Sequence, residues 1–116
     1  MRIVRDLPQQ GESAVIAQVS YSDQNGFGVV GDSEITGALV FAPRGIAYRP
    51  CAGDHLLLMP VAGADTCLGA LTSTAGLAPG ELQLSSSGGA TIRLCQNGDI
   101  KLNGVTITKE GQIIPL

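Results

Sequence analysis

From Leu82 onward the apolar residues come in pairs that bracket a single polar one: Leu82 and Leu84, Ile92 and Leu94, Ile100 and Leu102, Val105 and Ile107, with Ile113 last. Period-two alternation puts both members of a pair on one face of a β-strand, so each segment offers about two side chains to a core. Between the pairs lie Ser87-Gly88-Gly89, Gln96-Asn97-Gly98-Asp99, Asn103-Gly104 and Glu110-Gly111, residues that favour turns. The spacing between segments shrinks from about ten residues to about five or six along the chain. Strands this short make too thin a layer to exclude water by themselves. They fit either a plain antiparallel meander packed on another part of its own chain, or an assembly in which three chains wind round one axis. In the second case each cross-section gathers Leu, Ile or Val from every subunit, and strand edges pair between chains instead of facing solvent.

The rest of the chain fits the same all-β reading. Ala14 to Tyr21 is β-branched and partly alternating and is closed by Asp23-Gln24-Asn25-Gly26. Phe27 to Val30 and Thr36 to Phe41 continue the pattern across Gly31-Asp32-Ser33, and a short piece is expected at Ile46 to Tyr48. The turn Arg49-Pro50-Cys51-Ala52-Gly53-Asp54 feeds the apolar run His55 to Val61, which reads as a strand buried on both faces, and Thr66 to Leu71 follows the turn Ala62-Gly63-Ala64-Asp65. About five short strands in some sixty residues have the rhythm of a small closed barrel such as the OB-fold. Around Thr72 to Pro79 the composition turns to Ser, Thr, Ala, Gly and Pro. The expected organisation is an extended arm over residues 1–13, a barrel over 14–75, and a repetitive β-region over 76–116.

Composition narrows the function. With 116 residues, 44% apolar but 3% aromatic and lacking Trp, the chain has a core of Val, Ile, Leu and Ala and good reason to oligomerise. A formal charge of −3 leaves no basic footprint for nucleic acid. Cys51, Cys67 and Cys95 are odd in number and form no C-x-x-C pair, so they read as free thiols in a reducing compartment. Met1-Arg2-Ile3-Val4-Arg5-Asp6 lacks the apolar core of a signal peptide, and Leu56 to Ala62 is interrupted by Pro60 and too short to span a bilayer, so synthesis in the cytoplasm is expected.

No residue set suggests catalysis. Asp54 and His55 near Cys51 could be imagined as a nucleophilic or metal site, but neighbours on a strand point to opposite faces and His55 is the single histidine. They read better as a turn aspartate and an edge histidine. Cys95 reads as a small packed or surface thiol. Gly26-x-Gly28 and Gly31 precede no helix, which a dinucleotide loop requires, and hairpin turns account for them. Tyr21, Phe27, Phe41 and Tyr48 could stack on bases as OB-folds often allow, yet without a basic groove they suit packing.

The stretch Gly80 to Gly104, "GELQLSSSGGATIRLCQNGDIKLNG", follows the pattern G-E-[IL]-x-[IL]-x-S-x-G-G-A-x-I-x-[IL]-x-x-[ND]-G-x-I-x-[IL]-N-G and resembles the end of the central spikes of contractile phage tails, the baseplate assembly protein V family and its type VI secretion relatives. Arg49 to Val61, with its Pro-x-x-Gly-Asp turn, and Leu68-Gly69-Ala70-Leu71 are similar to that family's barrel signature. Together the matches span roughly residues 14 to 107. The resemblance implies an N-terminal OB-fold followed by an intertwined trimeric β-helix or β-prism, in a homotrimer on the tail axis that joins the tube to a membrane-piercing needle. It implies a structural protein without catalytic residues or cofactor, whose partners are baseplate hub and tail tube proteins and, transiently, the target cell envelope, but not nucleic acid. Leu82, Leu84, Ile92, Leu94, Ile100, Leu102, Val105 and Ile107 would then line the trimer axis, and Ile113, Ile114, Pro115 and Leu116 the tip. Many spikes of the family bind iron through His-x-His near the apex; that motif is missing here, so no metal is expected, and the tip is either bare or covered by a capping protein. The alternative is a monomeric OB-fold binding module for an oligonucleotide, oligosaccharide or peptide.

Overall fold

The computed structural model describes residues 14–31 and 33–115. The expected arm at 1–13 and Leu116 of the expected tip lie outside the described residues. Those residues contain strands and turns but no helix, and the chain divides into two compact units that meet between Thr72 and Ser73.

The first unit is a six-stranded sheet. β1 (Val15–Asp23) and β2 (Gly26–Val30) form a hairpin, β3 (Glu34–Thr36) and β4 (Leu39–Val40) are short, and β5 (His55–Val61) and β6 (Ala64–Ala70) form a second hairpin. The strand order is β3-β2-β1-β5-β6-β4, antiparallel throughout except that β4 runs parallel to β6 through Leu39 opposite Thr66 and Val40 opposite Cys67. The two outermost strands are therefore consecutive in sequence. Thr36 and Leu39 are separated by Gly37 and Ala38 alone, so they lie no more than about 11 Å apart. Gly37, at φ 77°, makes the break that lets the chain leave one edge of the sheet and join the other.

Alternation decides what this unit buries. Ala17 and Val19 of β1, Phe27 and Val29 of β2, Leu56 and Leu58 of β5, and Cys67 of β6 form one core cluster. Ile35, Ala38, Val40 and Ala70 pack against it. β5 departs from expectation: Leu57, between the two buried leucines, is 42% exposed, so the run is half-buried. Four consecutive apolar residues, Leu56 to Met59, hid a simple alternation because both faces of the strand carry aliphatic side chains. Ile46 to Tyr48 forms no strand. It lies between two turns, Pro43–Ile46 (Ile46 N–H to Pro43 O, 3.0 Å) and Cys51–Asp54 (Asp54 N–H to Cys51 O, 2.9 Å). The second turn docks on β1, with Gly53 N–H donating to Val19 O at 2.9 Å and Val19 N–H to Asp54 O at 2.8 Å. The turn after β5 is shorter than expected, two residues, with Ala62 and Gly63 both at positive φ, as the twist of a tight hairpin requires.

The second unit begins with two turns in series, closed by Leu77 N–H to Thr74 O and Glu81 N–H to Ala78 O, each 3.1 Å. Then β7 (Leu82–Ser85), β8 (Thr91–Leu94), β9 (Ile100–Leu102), β10 (Val105–Ile107) and β11 (Ile113–Ile114) form an antiparallel meander in the order β11-β10-β9-β8-β7. Three of its four connections share one geometry. In Ser86–Ala90, Cys95–Asp99 and Thr108–Gln112 the first N–H donates to the last carbonyl, the fourth N–H to the first carbonyl, and the fourth residue is a glycine, Gly89, Gly98 or Gly111, at φ between 93° and 99°. This is the three-residue hairpin with a glycine bulge, and it explains the recurrent turn signals. The remaining connection is Asn103-Gly104. Ile113 and Ile114 form a short strand, which the Thr108–Gln112 turn folds back onto β10.

Candidate assembly face

The register of the meander determines which side chains share a face, since residues directly opposite each other in an antiparallel pair project to the same side. One row across the strands runs Leu84, Ile92, Leu102, Val105. A second, two residues along each strand, runs Leu82, Leu94, Ile100, Ile107, Ile113. Both rows are on the same face, which thus carries nine aliphatic side chains and no polar one. The reverse face carries Gln83, Arg93, Lys101, Thr106 and Ile114, flanked by Ser85 and Thr91.

Nothing in the described residues of this unit is fully buried. Leu82 is 54% exposed, Leu94 42%, and Ile113 69%, in a sheet whose every strand is antiparallel, regular and hydrogen-bonded. An apolar patch of this extent on an ordered sheet marks an interaction surface. All eight residues expected at a trimer axis fall on this face, and Ile113, expected at the tip, extends the second row. Ile114 sits on the reverse face and Pro115 follows the last strand.

The first unit has a smaller apolar feature. A hollow of about 300 Å³ lies over the outer face of β1, β5 and β6, lined by Ile16, His55, Leu56, Leu57, Gly69, Ala70 and Leu71. Gly69 leaves its floor open, since a Cβ there would meet nothing within 4 Å. His55 is its one titratable neighbour. Asp54 is occupied as a turn residue, its Oδ2 accepting the Cys51 N–H at 2.8 Å. Cys67 is buried, 3.7 Å from both Gly69 O and the Tyr48 hydroxyl. Burial, with the Cys67 thiol next in effect, pushes the Tyr48 phenol up to about 12. Among the described residues no three His, Cys, Asp or Glu side chains gather as metal ligands would. Cys95 opens the turn after β8. Phe27 enters the core, while Tyr21 lies across Gly28 on the neighbouring strand, its ring occupying the space a Cβ would take. Phe41 is 58% exposed.

One constellation was missed in the sequence: Glu81, ahead of β7, is paired with Arg93 of β8. Its signal was present, because Glu81 has the same parity as Gln83, which lies opposite Arg93 once the Ser86–Ala90 turn sets the register.

No family model matches the chain, and no curated protein matches it. No helix among the described residues is long and apolar enough to cross a membrane.

Proposed function

We propose that this chain is the subunit of a homotrimeric central spike, the membrane-piercing needle of a contractile phage tail or a related injection device. The observation that carries the proposal is the two-row aliphatic face. Three copies of a five-stranded meander, each turning that face inward, make a triangular prism whose layers each contain the inward Leu, Ile or Val residues of one strand from every chain, two per strand in β7 to β10 and one in β11. Each subunit then has to fill only a third of a layer, which suits side chains of this size and the lack of aromatic residues in the unit. At about 4.8 Å per strand, five strands give a stubby prism roughly 24 Å tall.

The first unit supports the same reading. Joining β3 and β4 across Gly37-Ala38 turns its pairing order into a closed circuit, β1-β2-β3/β4-β6-β5-β1, with one parallel contact. That circuit is the one expected of an OB-fold-like barrel. The negative formal charge of −3 argues against a nucleic-acid groove on it. In the proposed device the barrel meets the baseplate hub and tail tube. The prism transmits thrust to the target envelope, because its subunits cannot part without exposing all three apolar faces together. A capping protein, if the device has one, would sit over the β11 end.

Mass by light scattering at micromolar concentration tests this directly. The spike reading expects about 36 kDa, three chains of 11.9 kDa each. A mass near 12 kDa overturns it and leaves a monomeric binding module, with the hollow beside Leu57 as its ligand groove.

A further inference from the structure

The segment that opens the second unit has the composition of a flexible linker, Ser, Thr, Ala, Gly and Pro, yet it is tied down. Glu81 accepts from four donors: Ala78 N–H at 3.0 Å, Gln96 N–H at 2.8 Å, and Arg93 through Nε at 3.2 Å and Nη2 at 2.5 Å. Arg93 Nη2 also donates to Gly76 O at 2.7 Å, and Gln96 Nε2 to Pro79 O at 2.9 Å. The Glu81 side chain is 7% exposed and that of Arg93 30%. One carboxylate thus joins the second linker turn, strand β8 and the β8–β9 turn, while two carbonyls of the linker are held by side chains from the meander. The contacts made by the Glu81 carboxylate and the Arg93 guanidinium are of the charge-assisted kind, stronger than neutral ones.

We infer that Ser73–Glu81 is a latched strap, held on the meander by the Glu81–Arg93 pair and released when Glu81 is protonated. Glu81 gains negative-form partners on folding, Arg93 first, then the Gln96 and Ala78 N–H groups, and these hold its carboxyl down at about 2 against an ordinary 4.5. A carboxyl lowered in the fold contributes fully above its unfolded value. The latch is therefore intact above about pH 4.5 and is lost as pH falls toward and through about 2. The other ionisable groups on the elements around it are Cys95 and Asp99 on the β8–β9 turn, Lys101 opposite Arg93 on β9, and Lys109, whose stem lies on Gly98. Of these, Asp99 is the other carboxylate, so a Glu81 variant is needed to separate the two. The strap has no other titratable side chain.

Hydrogen exchange of the full chain, with intrinsic rates corrected, measures the latch at the Gln96 and Ala78 amides. Between pH 5 and pH 2 their protection is expected to fall about tenfold or more, the factor that one pH unit of proton linkage supplies, while the β9–β10 amides stay protected. In Glu81→Gln the two amides start low and stay flat with pH. Gln96→Ala, which removes the Pro79 contact but leaves the carboxylate's own donors, keeps the acid transition. Protection that is flat in the wild type while β9–β10 remains folded overturns the latch, as does unchanged protection in Glu81→Gln. Should Glu81→Gln fail to fold, the wild-type titration with Gln96→Ala decides the question. Every contact lies within one chain, so a monomeric mass would sink the spike reading without touching this one.

Discussion

The two units obey one rule of alternation and end differently. In the first, inward residues of β1, β2, β5 and β6 meet over a common core, and Val29, Leu56 and Cys67 lose all contact with solvent. In the second, nine aliphatic residues line one face and each keeps part of its surface open. The difference arises from connectivity. The break at Gly37 carries the first sheet's edge round onto its far side, so the sheet covers itself, whereas the meander's four tight reversals only add strands side by side. Alternation decides which face is apolar, but only a long-range connection, or another chain, decides what covers it.

The contrast is tested most severely by placing a charge on each face of the meander in turn and following assembly. Leu94 lies mid-face between Leu82 and Ile100. In the proposed trimer, Leu94→Glu would bring three carboxylates together in a dry layer, at a cost of several kcal/mol per ion. The expected result is a mass near 12 kDa with the first unit still folded. Gln83→Glu, on the reverse face, is expected to leave the mass of the proposed trimer unchanged. Equal masses for the two variants would mean that the two-row face is not the interface.

A smaller effect, confined to the other unit, is expected from Leu56→Ala. Leu56 is wholly buried, and deleting its side chain should destabilise the first unit by about 2–5 kcal/mol. Both tyrosines, Tyr21 and Tyr48, lie in that unit, so tyrosine fluorescence during denaturant unfolding follows it alone. The midpoint should fall while the mass of the assembly under native conditions holds. Ile92→Ala, at a position 45% exposed within one chain, should show the converse, a weaker assembly with the tyrosine transition unmoved.

Much of this contrast is legible in the amino-acid pattern. The pairs Leu82/Leu84 through Val105/Ile107 fix both strand positions and the shared face, because a period of two has one geometric meaning and each bulged turn is marked by its glycine. Less legible is whatever depends on distant partners. Ile46 to Tyr48 has strand-like residues but pairs with no strand, and the apolar density of His55 to Val61 conceals that Leu57 faces outward. Ile113 and Ile114 look terminal because the turn that returns them to β10 depends on Thr108 as well as Gly111, its hydroxyl accepting the Gln112 N–H at 3.0 Å. The Glu81–Arg93 pair needs the β7–β8 register before two residues twelve apart can be seen as neighbours.

The smallest expected effects compare one two-residue turn from each unit. Asn103 and Ala62 are the non-glycine residues of positive φ among those described, at 55° and 54°. Asn tolerates that region, and Asn103 also uses its side chain, Oδ1 accepting the Thr91 N–H at 2.8 Å while its own N–H donates to Thr91 O at 3.1 Å. Ala62 has the same backbone strain with no such compensation. Replacing Asn103 by Gly removes only the side-chain bond and should cost about 1 kcal/mol, while Asn103→Ala adds roughly another 1 kcal/mol of left-handed strain. Ala62→Gly or Ala62→Asn should do the reverse, raising the tyrosine-monitored midpoint by an amount worth about 0.5–1 kcal/mol. Ala62 is not part of the assembly face, so its substitution should leave the mass untouched; a gain in stability there with unchanged assembly would show that the two units respond separately to changes of equal kind.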